Sequence, residues 1–102
     1  MGKNRDLNIL IRLIVNTVVH KIVVKHTNRP ESKHFLKSEV IEYRNQTEDV
    51  AKSHNWNDDD RNEVRNIAFL KIKDKLKSKY SDVLFEDIEI SENLNKIISE
   101  LM

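Results

Sequence analysis

The chain of 102 residues has no cysteine, one glycine, one proline and 6% aromatics. Without cysteine there are no disulfides, no thiolate zinc sites, no cysteine-ligated iron–sulfur clusters and no thiol nucleophile. That fits a reducing, cytoplasmic setting, which is the expected localisation. The single glycine, Gly2, stands beside the first residue. Phosphate-cradling loops need glycine where the backbone turns tightly and approaches a ligand. A Walker loop, a dinucleotide fingerprint and a G-x-S-x-G elbow are therefore absent from the sequence. Scarce glycine and proline also argue against many tight hairpins.

Charge of one sign is missing as well: 18 basic and 17 acidic residues leave a net +1. No global bias points to a nucleic acid or a membrane surface. Four histidines, His20, His26, His34 and His54, form no H-E-x-x-H or other ligand pair. The run Asp58-Asp59-Asp60 lacks the glycine and closing glutamate of a calcium loop and reads as an acidic helix start. No metal, cofactor or small-molecule ligand is expected.

What is present is helical periodicity. In segment 5–26, Leu7, Leu10, Ile11, Ile14, Val18 and Ile22 follow a helical stripe, and Ile9, Leu13, Val15, Val19, Val23 and Val24 widen it. Such a helix is buried on most sides; its β-branched residues make a strand the competing assignment. Arg12, Asn16, His20 and Lys21 interrupt the run. A membrane span needs about 20 predominantly apolar residues, so a core helix is expected instead, and no signal-peptide cleavage site follows it. Either it fills the centre of a bundle, or a surplus face formed by Leu7, Ile11, Ile14, Val18 and Ile22 meets a second copy of the chain.

Asn28 and Pro30 break the chain and open a second helix over about 31–53, with Leu36, Val40, Tyr43, Thr47, Val50 and Ala51 facing inward. Residues 54–59 connect it to a third helix over about 60–80; Asn57 through Asp60 each offer an N-cap, and Asp60 with Glu63 is the candidate capping-box pair. Trp56 is expected to fold back over the helix start. Val64, Ala68, Ile72, Leu76 and Tyr80 form the inner stripe. Segment 81–90 is ambiguous between extended and irregular structure, and Ser91 caps a last short helix over 92–101. The expectation is one all-α domain over residues 1–102, a compact bundle or orthogonal array of three long helices plus a short C-terminal one.

The near-neutral total hides segregation. Residues 61–80 carry seven basic and two acidic groups, whereas 81–102 carry one and six. In the third helix, Lys71, Lys75 and Lys79 make one row, while Lys73 and Lys77 fall on roughly the other side. Together with Arg61 and Arg65, that row is the candidate phosphate-contacting surface. Trp56 and Tyr80 are the aromatics that could serve base stacking. The stripe Arg12, Asn16 and His20 is either the wet edge of the first helix or a buried polar network fixing register.

Arg29 and His34 form R-x4-H, a pattern that resembles the one carried by the all-helical HEPN ribonucleases. The resemblance covers six residues and implies metal-independent RNA cleavage: a cation stabilises the phosphorane and an imidazole moves a proton. Two features depart from that family. Pro30 follows the arginine, and the pattern lies at a helix entrance. With no strong catalytic motif, the leading expectation is a non-enzymatic binding or regulatory module. Its partner would be a protein or a second copy of itself, joined through helix 7–24. Nucleic-acid binding through helix 61–79 comes second and ribonuclease activity third.

Overall fold

The computed structural model describes the backbone of residues 2–26, 30–80 and 84–102, with the side chains of 3–26, 37–80 and 84–102. These residues form four helices and no strand: α1 (Gly2–His26), α2 (Pro30–Ala51), α3 (Asp58–Lys79) and α4 (Asp87–Leu101). Pro30 occupies the first helical position of α2, where its missing N–H costs nothing.

The central element is α1, which packs against all three other helices. Leu10, Ile14, Val18, Val19 and Ile22 are at most 1% exposed. Burying a Val, Leu or Ile side chain contributes about 1.5–3 kcal/mol, while poor helix propensity costs below about 0.7 kcal/mol per residue. Packing therefore overrides the β-branched preference and settles the segment as helix. The same packing corrects the idea of a surplus face. Leu7, Ile11, Ile14, Val18 and Ile22 are all buried inside the chain's own core, so they offer no surface to a second copy. Lys3–His26 is long and apolar enough to cross a membrane, yet 61% of that apolar stretch is buried within the protein.

Around α1 the other helices turn most of their predicted faces inward; the side chain of Leu36, predicted for the α2 face, lies outside the described residues. Val64, Ala68, Ile72 and Leu76 of α3 are fully buried. Thr47 and Ala51 of α2 are buried, with Val40, Tyr43 and Val50 half-buried. Thr47 meets Thr17 of α1 in the core. Each hydroxyl donates to the carbonyl four residues back (Thr17 to Leu13, 2.8 Å; Thr47 to Tyr43, 2.6 Å), and the two oxygens lie 3.5 Å apart.

The α3 cap sits three residues earlier than the Asp60–Glu63 pair expected. Asn57 accepts from the Asp60 N–H at 2.8 Å, and the Asp60 carboxylate accepts from the Asn57 N–H at 3.1 Å. Trp56 is buried, and its hydrogen bond is with the end of α2 instead of the α3 start: its indole N–H donates to the Ala51 carbonyl at 2.7 Å. It is thereby removed as a stacking platform.

Helix α4 is longer than expected. Residues 87–90 form its first turn, so Ser91 lies inside the helix and is no cap. Ile90 joins Leu94, Ile97 and Ile98 in the core. Asp87 pairs with Lys73 of α3 (3.0 Å) and Glu89 with His26 of α1 (2.7 Å), which anchors that turn from two sides.

Candidate functional site

The cations proposed from sequence for one phosphate surface separate on folding. Arg61 donates to the Met102 backbone oxygen at 3.0 Å and to Asp58 at 2.8 Å. Arg65 donates to Asn95 at 2.7 Å and Asn62 at 2.9 Å. Both are turned toward α4 or along α3 itself and do not join the lysine row. Lys73, from the opposite row, is also held by α4 through Asp87. Lys71 and Lys75 instead face α1, while Lys79 is exposed one turn further along the same row.

There the α1–α3 seam opens into a groove of about 430 Å³. Asn8, Arg12, Val15 and Asn16 line it from α1, at the i, i+4, i+7, i+8 spacing of one helix face. Lys71, Asp74, Lys75 and Ser78 line it from α3 at the equivalent spacing i, i+3, i+4, i+7. The groove thus brings together two features that the sequence held apart: the Arg12–Asn16 part of the α1 stripe and two members of the lysine row.

Lys75 is fixed at the floor. Its ammonium donates to Asn16 Oδ1 at 2.6 Å. Burial, reinforced by the like charge of Lys79, pushes its pKa below the ordinary lysine value. Arg12, Lys71 and Asp74 line the same space and make no hydrogen bond or ion pair with any other described residue. Arg12 is exposed, so the wet-edge reading of the stripe holds at that residue. His20 leaves the groove: its Nδ1–H donates to the Asn16 carbonyl (2.7 Å), and Nε2 faces Glu39 of α2 at 3.0 Å.

Three histidines act as pins between elements. Besides His20, His26 Nε2 lies 2.7 and 3.0 Å from the two oxygens of Glu89, and His54 Nε2 lies 2.6 Å from Asp6. No group of three or more potential metal ligands occurs among the described residues. Arg29 lies outside the described residues, as does the side chain of His34, so the R-x4-H pattern has no described geometry. Tyr80 caps α3 and is half-buried; burial, with Glu39 and Tyr43 adding to it, raises its hydroxyl above the ordinary tyrosine value.

A second basic cluster sits on the far side of α1. Burial, then Lys96 and Arg44, lowers the Lys21 pKa, and Glu100 opposes the shift. Glu100 is itself paired with Arg44 at 2.5 Å. That cluster carries its own counter-charge, whereas Asp74, the one acid of the groove, pairs with none of the groove cations. Comparison with known proteins adds nothing to this geometry: no family model, no curated protein and no solved structure matches the chain.

Proposed function

We propose that this protein is a non-enzymatic helical binding module whose α1–α3 groove holds the phosphate backbone of a nucleic acid. The observation that carries the reading is the convergence of Arg12, Lys71 and Lys75 on one open groove, with Arg12 and Lys71 lacking any acidic partner among the described residues. Lys3, Arg44 and Lys73 are matched, with Asp60, Glu100 and Asp87. Other cations unpaired among the described residues, such as Arg5 and Lys77, do not line the groove, so convergence on one groove is what sets Arg12 and Lys71 apart. Clustered, unmatched cations are the electrostatic footprint of phosphate contact. No aromatic side chain lines the groove, so bases are not stacked there and binding is independent of sequence. The use of three histidines as structural pins supports the non-enzymatic part.

The test is anisotropy of labelled short RNA and DNA at low and physiological salt, comparing wild type, R12Q/K71Q, and K96Q on the opposite side. Single-strand binding loses about 0.7 of salt slope per phosphate contact removed. R12Q/K71Q is therefore expected to flatten the slope by about 1.4, while K96Q leaves it unchanged. Absence of binding at low salt, or equal slopes for wild type and R12Q/K71Q, would overturn the reading.

A second reading, a protein-interaction module, draws on Leu84 and Ile88. They stand 85% and 62% exposed at the α4 entrance. A concentration-dependent mass in sedimentation that L84S/I88S abolishes would favour it over the groove.

A further inference from the structure

The groove contains one residue that a pure phosphate site would not. Asp74 lines it among Arg12, Lys71 and Lys75, yet its carboxylate accepts no hydrogen bond and makes no ion pair with any described residue. Lys71 stands three residues before it on the same helix and Lys75 one after, and neither closes a salt bridge with it. A carboxylate only accepts hydrogen bonds. Phosphodiester oxygens also only accept, so a phosphate backbone alone meets repulsion at this position. The ligand that satisfies all four groups carries a hydrogen-bond donor beside its phosphate. Base N–H groups of a nucleic acid also donate, but the donor on the sugar next to the phosphate is the ribose 2′-hydroxyl, which deoxyribose lacks.

Resting on the nucleic-acid reading of the same groove, we infer that it selects RNA over DNA. Arg12 and Lys71 hold the phosphate, and Asp74 accepts a hydrogen bond from the adjacent 2′-hydroxyl. Lys75 sits deeper, tied to Asn16, and supplies fixed positive potential. Discrimination then arises from both sides. RNA gains a charge-assisted hydrogen bond, and DNA leaves an uncompensated carboxylate facing its phosphates.

The experiment uses single-stranded oligouridylate and its 2′-deoxy counterpart, identical in base and length, titrated into the full chain at low salt. Wild type is expected to bind the ribo form about tenfold more tightly, the magnitude of one hydrogen bond to a charged group. D74A, a change at an exposed and unpaired position, is expected to bind both forms equally, with the deoxy form gaining affinity. R12Q/K71Q is expected to lose both. Equal wild-type affinity for the two strands, or a ribose preference that persists in D74A, would overturn the selection by Asp74 while leaving the groove as a phosphate site. Failure of both strands to bind would instead sink the nucleic-acid reading itself. Uridine monophosphate at equal nucleotide concentration is expected not to compete; displacement by it overturns the polymer and assigns the groove to a free ribonucleotide.

Discussion

Adjacent residues on α3 allow scaffold and site to be separated. Leu76 is fully buried in the core and Lys75 lines the groove. Truncation of Leu76 to alanine removes its transfer free energy and leaves a cavity, at a cost of about 3 kcal/mol or more. A domain of this size loses roughly 4–8 °C of Tm per kcal/mol, so L76A should melt at least about 12 °C lower and lie near the limit of a marginal fold. Lys75→Met keeps the packed aliphatic stem. It gives up a hydrogen bond with a net value of about 1 kcal/mol but relieves the desolvation that depresses the ammonium pKa. The two effects oppose each other, and K75M should stay within about 1 kcal/mol of wild type.

The sign of the pH dependence separates them further. Because burial holds the folded Lys75 pKa below its unfolded value, the charged form is disfavoured in the fold. Wild type therefore gains stability relative to K75M as pH rises through the folded pKa toward the unfolded one, about 10.4. The assay is urea unfolding read by Trp56, the one tryptophan and a buried one, at neutral pH and near pH ~10. If K75M loses as much as L76A at neutral pH, Lys75 is scaffold. If the difference between wild type and K75M is flat with pH, the desolvation argument fails.

Two further predictions concern the scaffold. Thr17 and Thr47 each satisfy their hydroxyl on their own helix, so T17V and T47V should each change stability by less than about 1 kcal/mol and add without coupling; a double-mutant cycle that returns a coupling above that size would show that the 3.5 Å hydroxyl contact fixes the α1–α2 register. Removing the α3 cap in N57A should cost about 1 kcal/mol. The Asp60 carboxylate is held below its ordinary pKa by the Asn57 backbone N–H and then by Lys3, so its stabilising contribution is complete above the ordinary aspartate range and is lost as pH falls through the folded value. Chemical-shift titration of the Asn57 amide should follow that loss, and an Asn57 amide indifferent to acid would refute the reciprocal cap.

The helices were legible wherever one face repeats at helical spacing. The stripe Val64, Ala68, Ile72 and Leu76 announces α3 and is buried as the period requires. The start of α4 was not legible, because Ile88 and Ile90 alternate as in a strand. Within 87–90, Ile90 is buried in the core, and Asp87 and Glu89 pair with Lys73 and His26, which lie 14 and 63 residues away in sequence. Local periodicity cannot see such contacts. The capping box was misplaced for a different reason: a run of one asparagine and three aspartates offers several caps, and the fold uses Asn57, next to a Trp56 whose indole N–H donates to the Ala51 carbonyl. Both halves of the groove were visible separately, as a polar stripe on α1 and a lysine row on α3. Their meeting depends on the rotation of two helices about their axes, which neither segment encodes alone.

That rotation follows from the demands of the core. Helix α1 is apolar almost all round, so its few polar residues must fall on seams between neighbours. His20 falls on the α2 seam and finds Glu39. Asn16 falls on the α3 seam and finds Lys75. Arg12 falls one turn before Asn16 on the same seam, where α3 offers Lys71 and Lys75 but no engaged acid. A seam lined by long cations cannot close to core packing density, because burying an unpaired charge costs several kcal/mol. The same constraint that drives α1 to the centre of the bundle therefore leaves the α1–α3 seam open and positive. The groove is walled by two well-packed helices, and of its cations Lys75 is held in place by Asn16, while Arg12 and Lys71 stand exposed at its edge.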